Sequence, residues 1–150
     1  GGPAHAGLTE RLTIQIPDRP FLSDEHTPPG VAPIRPSVID LANLVDAARG
    51  DPVLLSYFSA VREQIQQAAN RRAWLTGETR QGLVYVSFLL TSSGLVQVAE
   101  VLSDRSVPSP TLQEVALRIV KSAAPFPPFP PSMTEPSKTV VVPLEFLLGS

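Results

Sequence analysis

Polar and apolar residues alternate along this chain with two different periods, and each change of period marks an element. Between Asp51 and Arg71, Leu54, Phe58, Val61, Ile65 and Ala68 recur at spacings of four and three, while Arg62, Glu63, Gln66 and Gln67 fill the intervening positions. That spacing gathers the apolar residues on one face of an α-helix. Asp51 is a natural N-cap and Pro52 suits a first helical turn, so a helix is predicted from 52 to 70. Upstream, Ser37 and Asp40 resemble a capping pair and Gly50 a stop. Val38, Leu41, Val45 and Ala48 fall on one face between them, which predicts a shorter helix.

After the polar hinge from Thr76 to Gly82 the period drops to two. Val84, Val86, Phe88 and Leu90 point one way, and Leu83, Tyr85, Ser87 and Leu89 the other. Thr91-Ser92-Ser93-Gly94 supplies a tight turn, so Leu95 to Leu102 is predicted to return as a hairpin. Gln97 and Glu100 stand three apart, which breaks the alternation. A β-bulge near Val98-Ala99 restores both to the solvent side.

A further helix is predicted to begin at Ser109-Pro110 or at Thr111, where Glu114 completes a capping box. Its stripe is Leu112, Val115, Ala116, Ile119 and Ala123. Lys138 to Leu148 then alternates again, with Val140, Val142, Leu144 and Phe146 on one face. Pro143 has no N–H for a ladder, which predicts an edge strand. The Pro-Phe arm Pro125-Phe126-Pro127-Pro128-Phe129-Pro130-Pro131 leads into it, with the two phenylalanines expected to plug the core.

The resulting order is helix, helix, strand, strand, helix, strand. It predicts an α+β fold: a small three-stranded antiparallel sheet packed on one face by two main helices, in the order α-β-β-α-β, plus an extra N-terminal helix. Residues 1–36 hold Pro3, Pro17, Pro20, Pro28, Pro29, Pro33 and Pro36 and one short possible strand, Arg11 to Ile16. They are read as an extended Pro-rich leader, with residues 37–150 as the folded domain.

Composition narrows the chemistry. The net charge of −2 over 150 residues argues against a nucleic-acid binder, which carries a basic stripe. Without cysteine there is no disulfide, zinc-thiolate site or thiol nucleophile. No run of 18 apolar residues occurs, so no membrane span is predicted within the chain. Its opening on Gly1-Gly2-Pro3 is read as that of a fragment or processed form, with an anchor or signal upstream. His5 and His26 are the only histidines; His26, beside Asp24 and Glu25 in the leader, makes a poor metal site. No serine sits in a Gly-x-Ser-x-Gly setting, and no histidine on the folded part can serve as a base. An enzyme is not expected, nor is a cofactor.

From Tyr57 onward the chain resembles the C-terminal domain of the TonB and TolA energy-transducing proteins. The resemblance rests on Tyr57, Val61 and Ile65, the strand from Gly82 to Leu90, the Ser93-Gly94 turn, and Val98 and Val101. Leu112, Ala116 and Val120, then Ala124-Pro125-Phe126-Pro127 and Val140 to Phe146, complete it. A Tyr-Pro pair common in TonB domains is absent, since Phe58 follows Tyr57, and the loop Ser103 to Pro108 replaces a Ser-Ser-Gly turn.

The resemblance implies a periplasmic domain anchored to the inner membrane by an upstream helix and coupled there to a proton-channel complex. It implies a grip on a short peptide of an outer-membrane transporter, the TonB box, by strand addition to the last strand. By position the docking residues are Lys138, Thr139, Val140, Val141, Val142, Pro143 and Leu144. The alternatives are a TolA-like envelope-integrity protein, or a structural scaffold that dimerises through the same edge.

Overall fold

The computed structural model describes residues 12–18 and 38–148. Along them run β1 (Leu12–Gln15), β2 (Val38–Asp40), α1 (Leu44–Ala48), α2 (Pro52–Asn70), β3 (Gly82–Thr91), β4 (Val96–Val101), a 3-10 turn (Ser103–Arg105), α3 (Pro110–Ala123) and β5 (Ser137–Leu148). The helix starts follow from local chemistry. The Asp51 carboxylate accepts from the N–H groups of Val53 and Leu54, and Pro52 follows it. Ser109 caps α3 by accepting from Leu112 N–H, so this helix takes the earlier of its two possible starts. Thr111 lies inside the first turn.

The sheet has five strands where the sequence predicted three. β5 pairs antiparallel with β3 along its length, from Ser137 opposite Thr91 to Phe146 opposite Gly82, and β4 follows β3 at the far side. On its other flank β5 receives two short strands. β1 runs antiparallel to it, Leu12 opposite Leu148 through Gln15 opposite Glu145. β2 runs parallel, Val38 opposite Thr139 through Asp40 opposite Val141. The last strand is thus interior, not the edge that Pro143 suggested, and Leu12–Gln15 of the supposed leader belongs to the sheet.

The helix expected over residues 37–50 is likewise corrected. Val38–Asp40 is extended, and only Leu44–Ala48 is helical. Asp40 turns the chain between them: its carboxylate accepts from the N–H of Ala42, a local bond that competes with helix formation.

The even residues of β3 and β5 (Val84, Val86, Phe88 and Leu90; Val140, Val142, Leu144 and Phe146) are sealed beneath the helices. From α2 come Phe58, Val61, Ile65 and Ala68; from α3 come Leu112, Val115, Ala116, Ile119 and Val120. Phe126 closes this core and stacks on Phe88 at 6.3 Å between centroids, while Phe129 packs edge-on against Tyr57.

The Pro-Phe arm is stitched down. Phe126 N–H donates to the Gly94 carbonyl and Phe129 N–H to that of Ser92, so it lies on the tip of the β3–β4 hairpin. The Tyr57 hydroxyl donates to the Pro127 carbonyl at 2.7 Å, and Gln64 donates to the carbonyls of Ala123 and Pro125. The bulge falls where the alternation broke: Gln97 faces Leu89 and Glu100 faces Ser87, leaving Val98 and Ala99 opposite one residue.

Candidate docking flanks of the sheet

Strand addition needs a row of unpaired backbone groups, so the sheet is best taken flank by flank. Within a strand the N–H and C=O of one residue point to the same side, and successive residues alternate. Leu41 N–H donates to the Val141 carbonyl at 2.9 Å. The odd residues of β5 (Thr139, Val141, Pro143, Glu145 and Leu147) therefore aim their backbone at β1 and β2, and the even residues aim theirs at β3. Pro143 lacks its N–H on the β1/β2 side. It falls between Val141, where the β2 pairing ends, and Glu145, where the β1 pairing begins. The missing donor thus sits in a gap where neither short strand is paired, which is how an interior strand tolerates a proline.

Two polar side chains of α2 fasten the N-terminal strands. Arg62 donates through Nε to the Leu41 carbonyl at 3.1 Å and through Nη2 to the Ile16 carbonyl at 2.8 Å. Gln66 accepts from Ile16 N–H at 3.0 Å and donates to the Ile14 carbonyl at 2.9 Å. The sequence placed both residues on the wet face of their helix. They are polar, but they point at backbone. No spacing in the sequence announces this, because the carbonyls they meet lie 21 to 52 residues away.

The seven predicted docking residues therefore lie side by side on β5, with their outward flank occupied in part by the chain itself. Thr139, Val140 and Val141 have β2 alongside them, while Val142, Pro143 and Leu144 run past the gap. Lys138 reaches Glu135 with Nζ at 2.8 Å, and that hydrogen bond holds the Glu135 carboxyl below its usual range. Val140, Val142 and Leu144 are completely buried. Their side chains serve the core and their backbone serves β3, so a partner would have to be recognised by the outward backbone of Thr139, Val141 and Pro143.

The opposite flank is different. β4 ends the sheet, with Val98 at 74% and Leu95 at 52% exposure on its outer border. Leu95 to Ala99, Lys121 and Ala124 line a cleft of about 460 Å³ between this strand and α3. The bulge interrupts the border midway, because Val98 adopts φ 47°. Trp74 is half-buried: its indole N–H donates to the Ala68 carbonyl, and Arg72 lies 4.2 Å from its ring centroid.

Among the described residues no cluster of histidine and carboxylate has the make-up to hold a metal ion, and no helix is long and apolar enough to cross a membrane. His5, His26, Asp24 and Glu25 lie outside the described residues.

This arrangement, a β-hairpin, a covering helix and a long closing strand, is matched by one family model. Residues 76–148 match the Gram-negative bacterial TonB protein C-terminal domain. Domains of this family are periplasmic and act through protein–protein interaction, not catalysis. No curated protein and no solved structure matches the chain. The matched stretch contains β3, β4, α3 and β5; β1, β2 and α2 precede it.

Proposed function

We propose that this chain is the periplasmic adaptor of a TonB-like energy-transducing system, gripping an extended peptide of an outer-membrane transporter by strand addition along Lys138 to Leu144. One observation carries this reading. The outer flank of β5 takes up strands from beyond the family stretch in both directions, β1 antiparallel and β2 parallel, so its backbone is a competent strand acceptor. In the proposed cycle an upstream anchor, coupled to an inner-membrane proton-channel complex, moves, and β5 transmits the pull to the peptide. Each ladder bond contributes ~0.5–1.5 kcal/mol net, so a short added strand gives a weak grip that also lets go.

The test is an amide-resolved NMR titration of the whole chain with extended transporter peptides. Shifts are expected at Thr139 and Val141, whose N–H groups face outward. Shifts confined to Val96–Val101 would move the docking edge to β4. Unmoved amides throughout at millimolar peptide would end the adaptor reading.

The exposed border of β4 favours a second reading, a scaffold that pairs with its own copy there. It predicts a mass that rises with concentration in light scattering without any peptide, and loss of that rise on Val98→Lys.

A further inference from the structure

We infer that β2 is a resident strand, held in the docking flank until a partner replaces it, and that its own pattern describes the partner. This rests on the reading of β5 as the docking strand. β2 is three residues long and lies outside the family stretch. It runs parallel to β5, and its attachments include one side of a ladder, the Asp40 turn and the Arg62 contact. Ile39, opposite Val140, and Leu41 just beyond the strand are buried against the core.

A replacing strand must meet the same demands. It runs parallel to β5, carries apolar residues at two positions separated by one, and offers a carbonyl to Arg62 where Leu41 now does. Beyond the third residue it can continue to the Pro143 carbonyl, the outward backbone group in the gap that neither β1 nor β2 fills. The external peptide can gain that one acceptor, which the resident leaves unused in its ladder. Occupancy by β2 also lowers apparent affinity in proportion to the released fraction: a flank open in one molecule of a hundred binds ~100-fold more weakly than one always open.

The parity of β5 provides the test in the unmodified chain. By register the Val141 N–H faces the Ile39 carbonyl, whereas Val140 and Val142 are bound to β3. In native-state hydrogen exchange Val141 should exchange at least ~10-fold faster than Val140 and Val142. A synthetic peptide carrying residues 38–43, added at millimolar concentration, should perturb Val141 and leave Val140 in place. Ile39→Ala should raise both the Val141 exchange rate and the affinity for this peptide about tenfold. If that variant fails to fold, Arg62→Met removes the clamp and keeps the aliphatic stem; faster Val141 exchange is then the readout, because the incoming peptide loses the same contact.

Equal exchange at Val140, Val141 and Val142, in the parent chain and in the variant, would overturn the inference, because β2 would then leave only when the whole fold opens. Fast Val141 exchange with uptake of the 38–43 peptide but of no transporter peptide keeps the resident strand and sinks the adaptor reading. Transporter binding with Val141 protection unchanged does the reverse.

Discussion

At the scale of single residues, three positions carry constraints that their neighbours do not. Gly94 has φ 92°, and a β-carbon there would strike the Phe126 carbonyl that its own C=O is bonded beside. Gly94→Ala should therefore lower stability by more than the ~1 kcal/mol of a backbone penalty alone, read as a fall in the urea midpoint with unchanged slope. Val98 shows the opposite case. A β-branched residue at φ 47° is unfavourable, and its side chain is exposed, so little packing offsets the cost. Val98→Gly should be neutral or stabilising, by up to about 1 kcal/mol. Tyr57 links α2 to the proline arm, and burial pushes its phenol from 10.0 up to about 12. The neutral form is the one the fold prefers, so this contribution is complete below pH 10 and disappears as the pH rises through the interval to 12. Chemical denaturation at pH 9 and pH 11.5 should show that loss in the parent chain and a smaller one in Tyr57→Phe.

At the scale of elements, β5 behaves as two half-ladders interleaved in one strand. Val142→Pro removes a donor bound to β3 and breaks the central pairing; the loss should be ~3 kcal/mol or more. Val141→Pro removes a donor only on the β2 side, so the fold should persist with a smaller loss, measured by the same urea titration. The contrast checks the parity directly. It also shows what could be read beforehand. α2, the β3–β4 hairpin, its bulge and the alternation of β5 were legible because each is a local period, visible in Leu54 to Ala68, Val84 to Leu90, and Gln97 with Glu100. β2 was not. Val38, Leu41, Val45 and Ala48 fit a helical face as well as any, and only pairing with residues a hundred positions later makes Val38–Asp40 extended. Pro143 misled for a related reason: the rule concerns a missing donor, and sequence does not say which side of the strand that donor would face.

For the whole molecule, the consequence is a sheet with one flank largely closed from within and, among the described residues, one left open. Deletion of residues 1–43 would uncover the β5 flank and strip Ile14, Ile16, Ile39 and Leu41 from the core. The shortened chain should melt at lower temperature and associate, seen as a rise in light-scattering mass with concentration. The sequence put the proposed docking residues, Lys138 to Leu144, on the last strand but could not show that its flank is occupied, because occupancy of a flank is a property of distant segments. Arg62 then sets how that occupancy ends. A single guanidinium joins the carbonyls of Ile16 and Leu41, two points separated by 25 positions in the chain and anchored by different strands. Loosening either one leaves a charged donor half-served, so the two attachments are thermodynamically yoked and should fail together. Lysine at that position, with one point charge in place of a fork, would hold one of them at a time and let the strands depart in separate events.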